Sequence, residues 1–315
     1  MKILFMGTPD FAVFSLKALV EAGENVIGVV TQPDKPKGRG YDLAPPPVKV
    51  YAEEQGLPVY QPATLRGDDF AALLAELDPE LIVVVAFGKI LPRNVLDYPR
   101  HGFINVHGSL LPAYRGAAPM QRAIIDGCKT TGITTMLMAD GIDTGDMLLK
   151  SEVEIGVNDN FEDMHDRLGA CGAKTLLDTL DALRAGTLVP EKQDDALATY
   201  AAKIEKADCV LDFSHCAGAV HDRIRGLSPI PLSFTHTPDG KLLKVLASHV
   251  SDMNCPDGTA PGTVLSLGDG EITVACGNGT ALAITRVLPE GKGRMSAADF
   301  IRGRKIAVGD VLKYE

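Results

Sequence analysis

At 315 residues, with 45% hydrophobic and 23% charged side chains, the chain has the composition of a globular protein and exceeds what one compact core normally holds, so two domains are expected. It has no apolar run of membrane-spanning length, and Met1-Lys2 leads straight into Ile3-Leu4-Phe5-Met6 and a Gly-Thr-Pro turn. That is a first strand and not a signal peptide, so a cytoplasmic location and no membrane partner are expected. The formal charge of −10 argues against indiscriminate nucleic-acid binding, but residues 206–315 hold 12 acidic and 12 basic side chains. The excess acid therefore lies earlier, and the last third remains free to present a basic face. Six cysteines, at 128, 171, 209, 216, 255 and 276, show no Cys-x-x-Cys pairing, which indicates neither a zinc site nor a disulfide framework.

In chain order, the short apolar runs Lys2 to Gly7, Asn25 to Thr31, Leu81 to Ala86, Gly102 to His107 and Ile133 to Met138 read as strands, most of them separated by helix-length segments. The pattern predicts an α/β fold with a doubly wound, mostly parallel sheet. Ligands of such sheets sit outside the carboxyl ends of the strands, where Phe87, Asn105, His107 and Asp143 are expected to gather. Gly7-Thr8-Pro9-Asp10 lacks the second and third glycines of the dinucleotide fingerprint, so no nicotinamide cofactor is expected. It reads as a turn and helix start ahead of the apolar stripe Phe11, Phe14, Leu16 and Leu19.

Gln32 to Pro47 carries Lys35, Lys37 and Arg39 among two glycines and five prolines, too many breakers for a helix or a central strand. Phe161, Met164, Leu168, Leu176, Leu177, Leu180 and Leu183 mark a long amphipathic helix ending near Gly186, with His165 off the stripe and expected at the surface. Leu188 to Tyr200 is polar, lacks a period and reads as a linker. Beyond a helix containing Ala219, Val220 and Ile224, five strands are expected near 232–235, 242–250, 262–267, 271–275 and 281–287. Their number and spacing fit a small, OB-like barrel.

The richest stretch is Gly102 to Gly116, GFINVHGSLLPAYRG. Asn105 and His107 stand two apart on one strand, so alternation puts both side chains on the same face. An amide that can donate to a developing oxyanion, beside an imidazole that can take up or return a proton, is a plausible acyl-transfer pair. Asp143, in the glycine-flanked loop Ala139 to Gly145, is the candidate third partner.

The run Asn105-Val106-His107-Gly108-Ser109-Leu110-Leu111-Pro112, with an Ile-Asp-Thr-Gly loop downstream, resembles the folate-dependent formyltransferases. Met6 to Phe11, Thr31-Gln32-Pro33-Asp34, Pro46-Pro47-Val48-Lys49 and Arg115-Gly116-Ala117-Ala118-Pro119 narrow the resemblance to members acting on charged initiator tRNA, over nearly the whole chain. It implies transfer of the formyl group of 10-formyltetrahydrofolate to the α-amine of methionine on that tRNA, with Asn105, His107 and Asp143 catalytic and no metal. It also implies a folate site along Phe87, Ile90, Leu91, Ser109, Leu110, Leu111, Pro112 and Asp140, and a tRNA contact through Lys35, Lys37 and Arg39.

Tyr41-Asp42 depart from the lysines that relatives carry in that loop. The domains implied are a Rossmann-like catalytic domain, 1–189, a linker, 190–205, and an OB-like tRNA-binding domain, 206–315, acting as a monomer. Two alternatives stay open: a formyltransferase acting on a small amine such as glycinamide ribonucleotide or an amino sugar, and a non-catalytic RNA-binding protein.

Overall fold

A computed structural model describes residues 1–37, 42–66, 68–89, 91–96 and 98–313. The chain opens with β1 (Ile3–Gly7), α1 (Asp10–Glu21), β2 (Val26–Val30), β3 (Lys35–Lys37), β4 (Asp42–Ala44), α2 (Pro47–Glu54) and β5 (Val59–Tyr60). Next come α3 (Asp68–Leu77), β6 (Leu81–Val85), α4 (Arg93–Leu96), β7 (Phe103–His107), β8 (Arg115–Gly116), α5 (Pro119–Ile125), β9 (Thr130–Leu137), β10 (Met147–Glu154) and α6 (Phe161–Ala185). β11 (Tyr200–Ala201), α7 (Ala217–Gly226), β12 (Ser233–His236), β13 (Leu242–Ser251), β14 (Val264–Ser266), β15 (Ile272–Ala275), β16 (Ala281–Pro289), β17 (Met295–Ser296) and α8 (Ala297–Arg302) complete it. No helix among the described residues is long and apolar enough to cross a membrane.

Two compact units emerge. The first comprises Met1–Gly116, Thr131–Val153 and His165–Tyr200, and the second Ala117–Thr130, Glu154–Met164 and Ala201–Glu315. The first is built on a seven-stranded sheet of order β10-β9-β7-β6-β1-β2-β5. β5, β2, β1, β6 and β7 pair in parallel. Their near-continuous Val, Ile and Leu runs reflect burial on both faces: β1 and β6 are buried at every position.

One face takes α1 and α6. Gly172 of α6 lies so close to Val106 and Ile133 that a Cβ there would stand 3.1 Å from Val106 Cγ1. The other face packs Leu4, Met6, Ile82, Val84 and Phe103 against Phe70 and Leu74 of α3 and against Phe87 and Leu91. Full burial of side chains this size stabilises by roughly 1.5–3 kcal/mol each.

The sheet departs from the mostly parallel expectation at one place. β9 runs antiparallel to β7, pairing Ile104 with Leu137 and His107 with Thr134. The reason lies in the connection: α5, between the two strands, groups with the second unit instead of making a crossover on this sheet. The chain therefore re-enters beside the carboxyl end of β7 and runs back.

The second unit holds a curled antiparallel sheet, β12-β13-β16-β15-β14, with β17 on β16. Its five main strands coincide with those expected from the sequence. Both edges bond to the last described residues: His236 bridges Lys313, and Thr263 bridges Val311. The core beneath joins Val220 and Ile224 of α7, Phe300 of α8 and inward residues such as Val245, Val274 and Ile284. Arg122 of α5 grips Asp208 with two hydrogen bonds of 2.9 and 3.1 Å, which ties 117–130 into this unit. The Asp208 carboxyl is held below its usual range chiefly by that guanidinium.

Candidate active site

β7 presents Asn105 and His107 on the face shared with Phe103, Met136 and the Phe87–Leu91 cluster, since directly paired residues of a sheet share a face. Val106, between them, faces α6. Asn105 is half-buried, and its side chain makes no hydrogen bond to any described residue. His107 is buried, its side chain 7% exposed. Its Nε2 donates to the Tyr114 carbonyl at 3.0 Å, and its Nδ1 faces Asp143 Oδ2 at 3.5 Å. That oxygen also accepts the Gly116 backbone N–H at 2.8 Å.

Asp143 reaches this position by a route that differs from the expected one. β9 ends opposite Ile104, toward the amino end of β7, so its loop does not emerge at the carboxyl edge of the parallel strands. The loop must fold back along β7, and the backbone does so through positive φ at Gly141 (118°) and Asp143 (54°). Gly145 is needed for the return: a Cβ there would stand 1.6 Å from the Leu137 carbonyl oxygen.

The turn after β7 is locked from inside. Ser109 Oγ donates to the Ala113 carbonyl at 2.6 Å, Thr134 Oγ1 donates to the Ser109 carbonyl at 2.7 Å, and the same hydroxyl accepts the Leu111 N–H at 3.0 Å. Ser109 and Leu111 are buried, Leu111 with Met136 and Met147, while Leu110 and Pro112 are half-buried. Phe87 and Leu91 are buried in the core cluster, and Asp140 is exposed and paired with Arg93 at 2.5 Å. Ile90, Arg39 and Tyr41 lie outside the described residues, as do the side chains of Lys37 and Asp42.

Lys35 is exposed and donates to Gln32 Oε1 at 2.7 Å. Behind it is a polar cluster that sequence reading missed. Lys49 Nζ bonds both Asp34 oxygens, at 3.0 and 2.9 Å, and Gln61 Oε1 at 3.0 Å. Gln61 Nε2 donates to Asp34 at 2.7 Å and Gln32 Nε2 to the Phe87 carbonyl at 2.7 Å. The Gln61 amide, and after it the Lys49 ammonium, holds the Asp34 carboxyl below its usual range. The signal was present in two short motifs, Thr31 to Asp34 and Pro46 to Lys49, but nothing in either shows that they meet.

His165 also departs from expectation. Its ring packs edge-on to Phe11 and Phe14, with centroids 5.5 and 6.1 Å away, and lies 3.3 Å from Asp10 Oδ1 and 2.9 Å from Asp166 Oδ1. Hydrogen bonding to Asp10 raises its pKa above the ordinary histidine value. A helical stripe counts only side chains facing the sheet, whereas this one is claimed by the neighbouring helix α1.

No group of three or more His, Cys, Asp or Glu able to hold a metal ion occurs among the described residues. Cavities of about 280 and 160 Å³ lie within the second unit and include none of the site residues above.

Comparison with known proteins bears on this geometry. The family "Formyl transferase" matches residues 1–180, and "Formyl transferase, C-terminal domain" matches 203–305. The methionyl-tRNA formyltransferase of Citrifermentans bemidjiense is 49% identical over 312 residues, covering 99% of this chain and 96% of that protein. That of Bacillus subtilis is 47% identical over 311 residues, covering 99% and 97%.

Among solved structures, the N-formyltransferase of Helicobacter canadensis, in complex with folinic acid and dTDP-3-aminofucose, superposes with a TM-score of 0.65 at 16% identity, over 90% of this chain and 98% of that one. HypX of Aquifex aeolicus, in complex with tetrahydrofolic acid, gives 0.63 at 16% identity, over 96% of this chain and 47% of that one. At such identity these two speak for the fold alone. With both domain families matched in order and nearly half of its residues shared with enzymes of one kind along its length, the chain belongs to the methionyl-tRNA formyltransferase family.

Proposed function

We infer that the protein transfers the formyl group of 10-formyltetrahydrofolate to the α-amine of methionyl-initiator tRNA, with Asn105, His107 and Asp143 as its catalytic residues. The observation that carries the assignment of residues is the Asn105 amide, without a hydrogen-bond partner among the described residues, on the same face as buried His107, which faces Asp143. As the amine attacks the formyl carbon, Asn105 donates to the oxygen that becomes tetrahedral, an interaction whose loss costs about 3 kcal/mol in comparable sites. The bond from carbon to the folate N10 breaks as the new amide forms, and the amine's proton ends on N10. His107 and Asp143 carry that proton between the two nitrogens. The donor is already an activated acyl compound, so the chemistry requires neither a metal nor a nicotinamide.

Phe87, Ile90, Leu91, Ser109 to Pro112 and Asp140 are assigned to the folate site; the apolar cluster of Phe87 and Leu91 on the Asn105 face supports this. Lys35, Lys37 and Arg39 are assigned to the tRNA. Residues 1–189 make the catalytic domain, 190–205 the linker and 206–315 the tRNA-binding domain of a monomeric, cytoplasmic enzyme. The curled sheet, both edges bonded to residues 311–313, supports reading the last domain as OB-like, a class that often holds nucleic acid.

Incubation with 10-formyltetrahydrofolate and charged initiator tRNA, against glycinamide ribonucleotide and amino sugars as rival acceptors, tests this. Formylation of the tRNA alone is expected. Faster turnover of a small amine, or of none, would overturn it.

A further inference from the structure

The segment after α6 reads as a linker, yet it holds both supports of the His107–Asp143 pair. Gln193 Nε2 donates to the Asp143 carbonyl at 2.7 Å and to the Gly145 carbonyl at 2.8 Å, so a single amide spans the turn that carries the carboxylate. Gln193 is itself aimed: its Oε1 accepts Arg115 Nε at 2.9 Å, and the same guanidinium, 2% exposed, donates to Asp195 at 2.8 Å. Six residues on, Thr199 Oγ1 accepts the Tyr114 N–H at 2.8 Å, and the Thr199 carbonyl accepts the Arg115 N–H at 2.9 Å. Tyr114 is the residue whose carbonyl holds His107 Nε2.

The two residues so held share a second property. Tyr114 and Asp143 both have left-handed backbones, with φ of 60° and 54°. Non-glycine residues keep that conformation only where the surroundings impose it. The backbone bonded to His107 and the backbone bearing its carboxylate partner thus each depend on hydrogen bonds from residues 193–199.

We propose that Gln193 is a positioning residue for formyl transfer, holding the Asp143 turn so that its carboxylate faces His107. This rests on the reading of Asp143 as catalytic, and it gives the first residues of the linker a task in the chemistry. Gln193 acts through Asp143 alone and touches no reacting atom.

The test is a double-mutant cycle on the full-length enzyme, measuring kcat and KM for 10-formyltetrahydrofolate and charged initiator tRNA. Gln193→Ala removes the clamp. Gln193→Glu keeps the volume and the acceptor for Arg115 but turns an oxygen toward two carbonyls, and it carries the test if the alanine variant does not fold. Either change is expected to lower kcat by about 30-fold or more, because a misplacement of about 1 Å can cost on the order of 100-fold. Both KM values should stay within about threefold, since substrate binding is not what the clamp provides.

In an Asp143→Asn background the same changes should cost less than about twofold, because residues acting through one group are not additive. Equal losses in both backgrounds, or parental kcat in Gln193→Glu, would overturn the proposal. Parental turnover in Asp143→Asn itself would instead overturn the catalytic assignment, so the two failures are distinguishable.

Discussion

Asp143 Oδ2 lies 3.5 Å from His107 Nδ1 and accepts the Gly116 N–H at 2.8 Å, so one carboxylate oxygen serves both the ring and the turn after β7. Removing the carboxylate therefore loosens two things at once. His107→Ala and Asp143→Asn are each expected to lower single-turnover formylation by roughly 100-fold or more, the reach of positioned acid–base groups. Equilibrium binding of the folate donor should change little. Near-parental rates in a folded variant would show that the pair is structural.

Asn105→Ala separates oxyanion stabilisation from proton transfer. The amide has no hydrogen-bond partner among the described residues, so its loss leaves none of them unsatisfied and should hardly change thermal stability. A fall in kcat of about 100- to 1000-fold is expected, the usual cost of removing such a donor. A large drop in Tm with the activity loss would assign Asn105 to the fold instead.

How much of this was legible beforehand depended on how local the signal was. Asn105 and His107 share a face because strands alternate, and Phe161–Ala185 forms one helix because its apolar residues repeat at helical spacing; both are properties of a single segment. The antiparallel β9 was not legible, since direction depends on where the chain travels between strands. Gln193 and Thr199 were not legible either. They sit in a polar stretch without a period, and their partners lie at Asp143, Gly145 and Tyr114. The Asp34–Lys49–Gln61 cluster was half-visible: its members fall in motifs, but contact across the sheet's edge leaves no trace in spacing.

The pair formed by His165 and Asp10 gives a pH signature for stability. Bonding to Asp10 raises the His165 pKa from its ordinary 6.5, so the folded state binds that proton more tightly than the unfolded chain. Its stabilisation is full below 6.5 and is lost as pH rises through the higher folded-state value. Asp10, lowered from 3.8 chiefly by the same bond, contributes above 3.8 and loses its share as pH falls through its lower folded value. The stability gap between the parent and His165→Gln should thus be widest near about pH 5 to 6 and shrink by about pH 8 to 9. Denaturant unfolding at several pH values measures it, and a gap independent of pH would remove the charge from the account.

Lys35 lies in the basic segment and Lys49 just after it, but their surroundings assign them different tasks. Lys49 is 19% exposed, and its ammonium is spent on Asp34 and Gln61, while Lys35 is exposed and, among the described residues, bonds a neutral amide, Gln32. A cation already paired with a carboxylate has little to offer a phosphate; one resting on an amide can exchange it. Lys35→Ala is therefore expected to flatten the dependence of log affinity for charged tRNA on log salt by up to about 0.9, one duplex phosphate contact. Lys49→Met should instead raise the tRNA KM roughly fivefold at every salt concentration, with the slope and kcat little changed, because it frees the base of the β3–β4 hairpin without removing a phosphate contact. Gln32, whose Oε1 accepts the Lys35 ammonium, also bonds the Phe87 carbonyl through Nε2 at 2.7 Å, so a small rise in the folate KM should accompany the Lys35 variant more than the Lys49 one. A flattened slope in Lys49→Met, or an unchanged one in Lys35→Ala, would reverse these assignments.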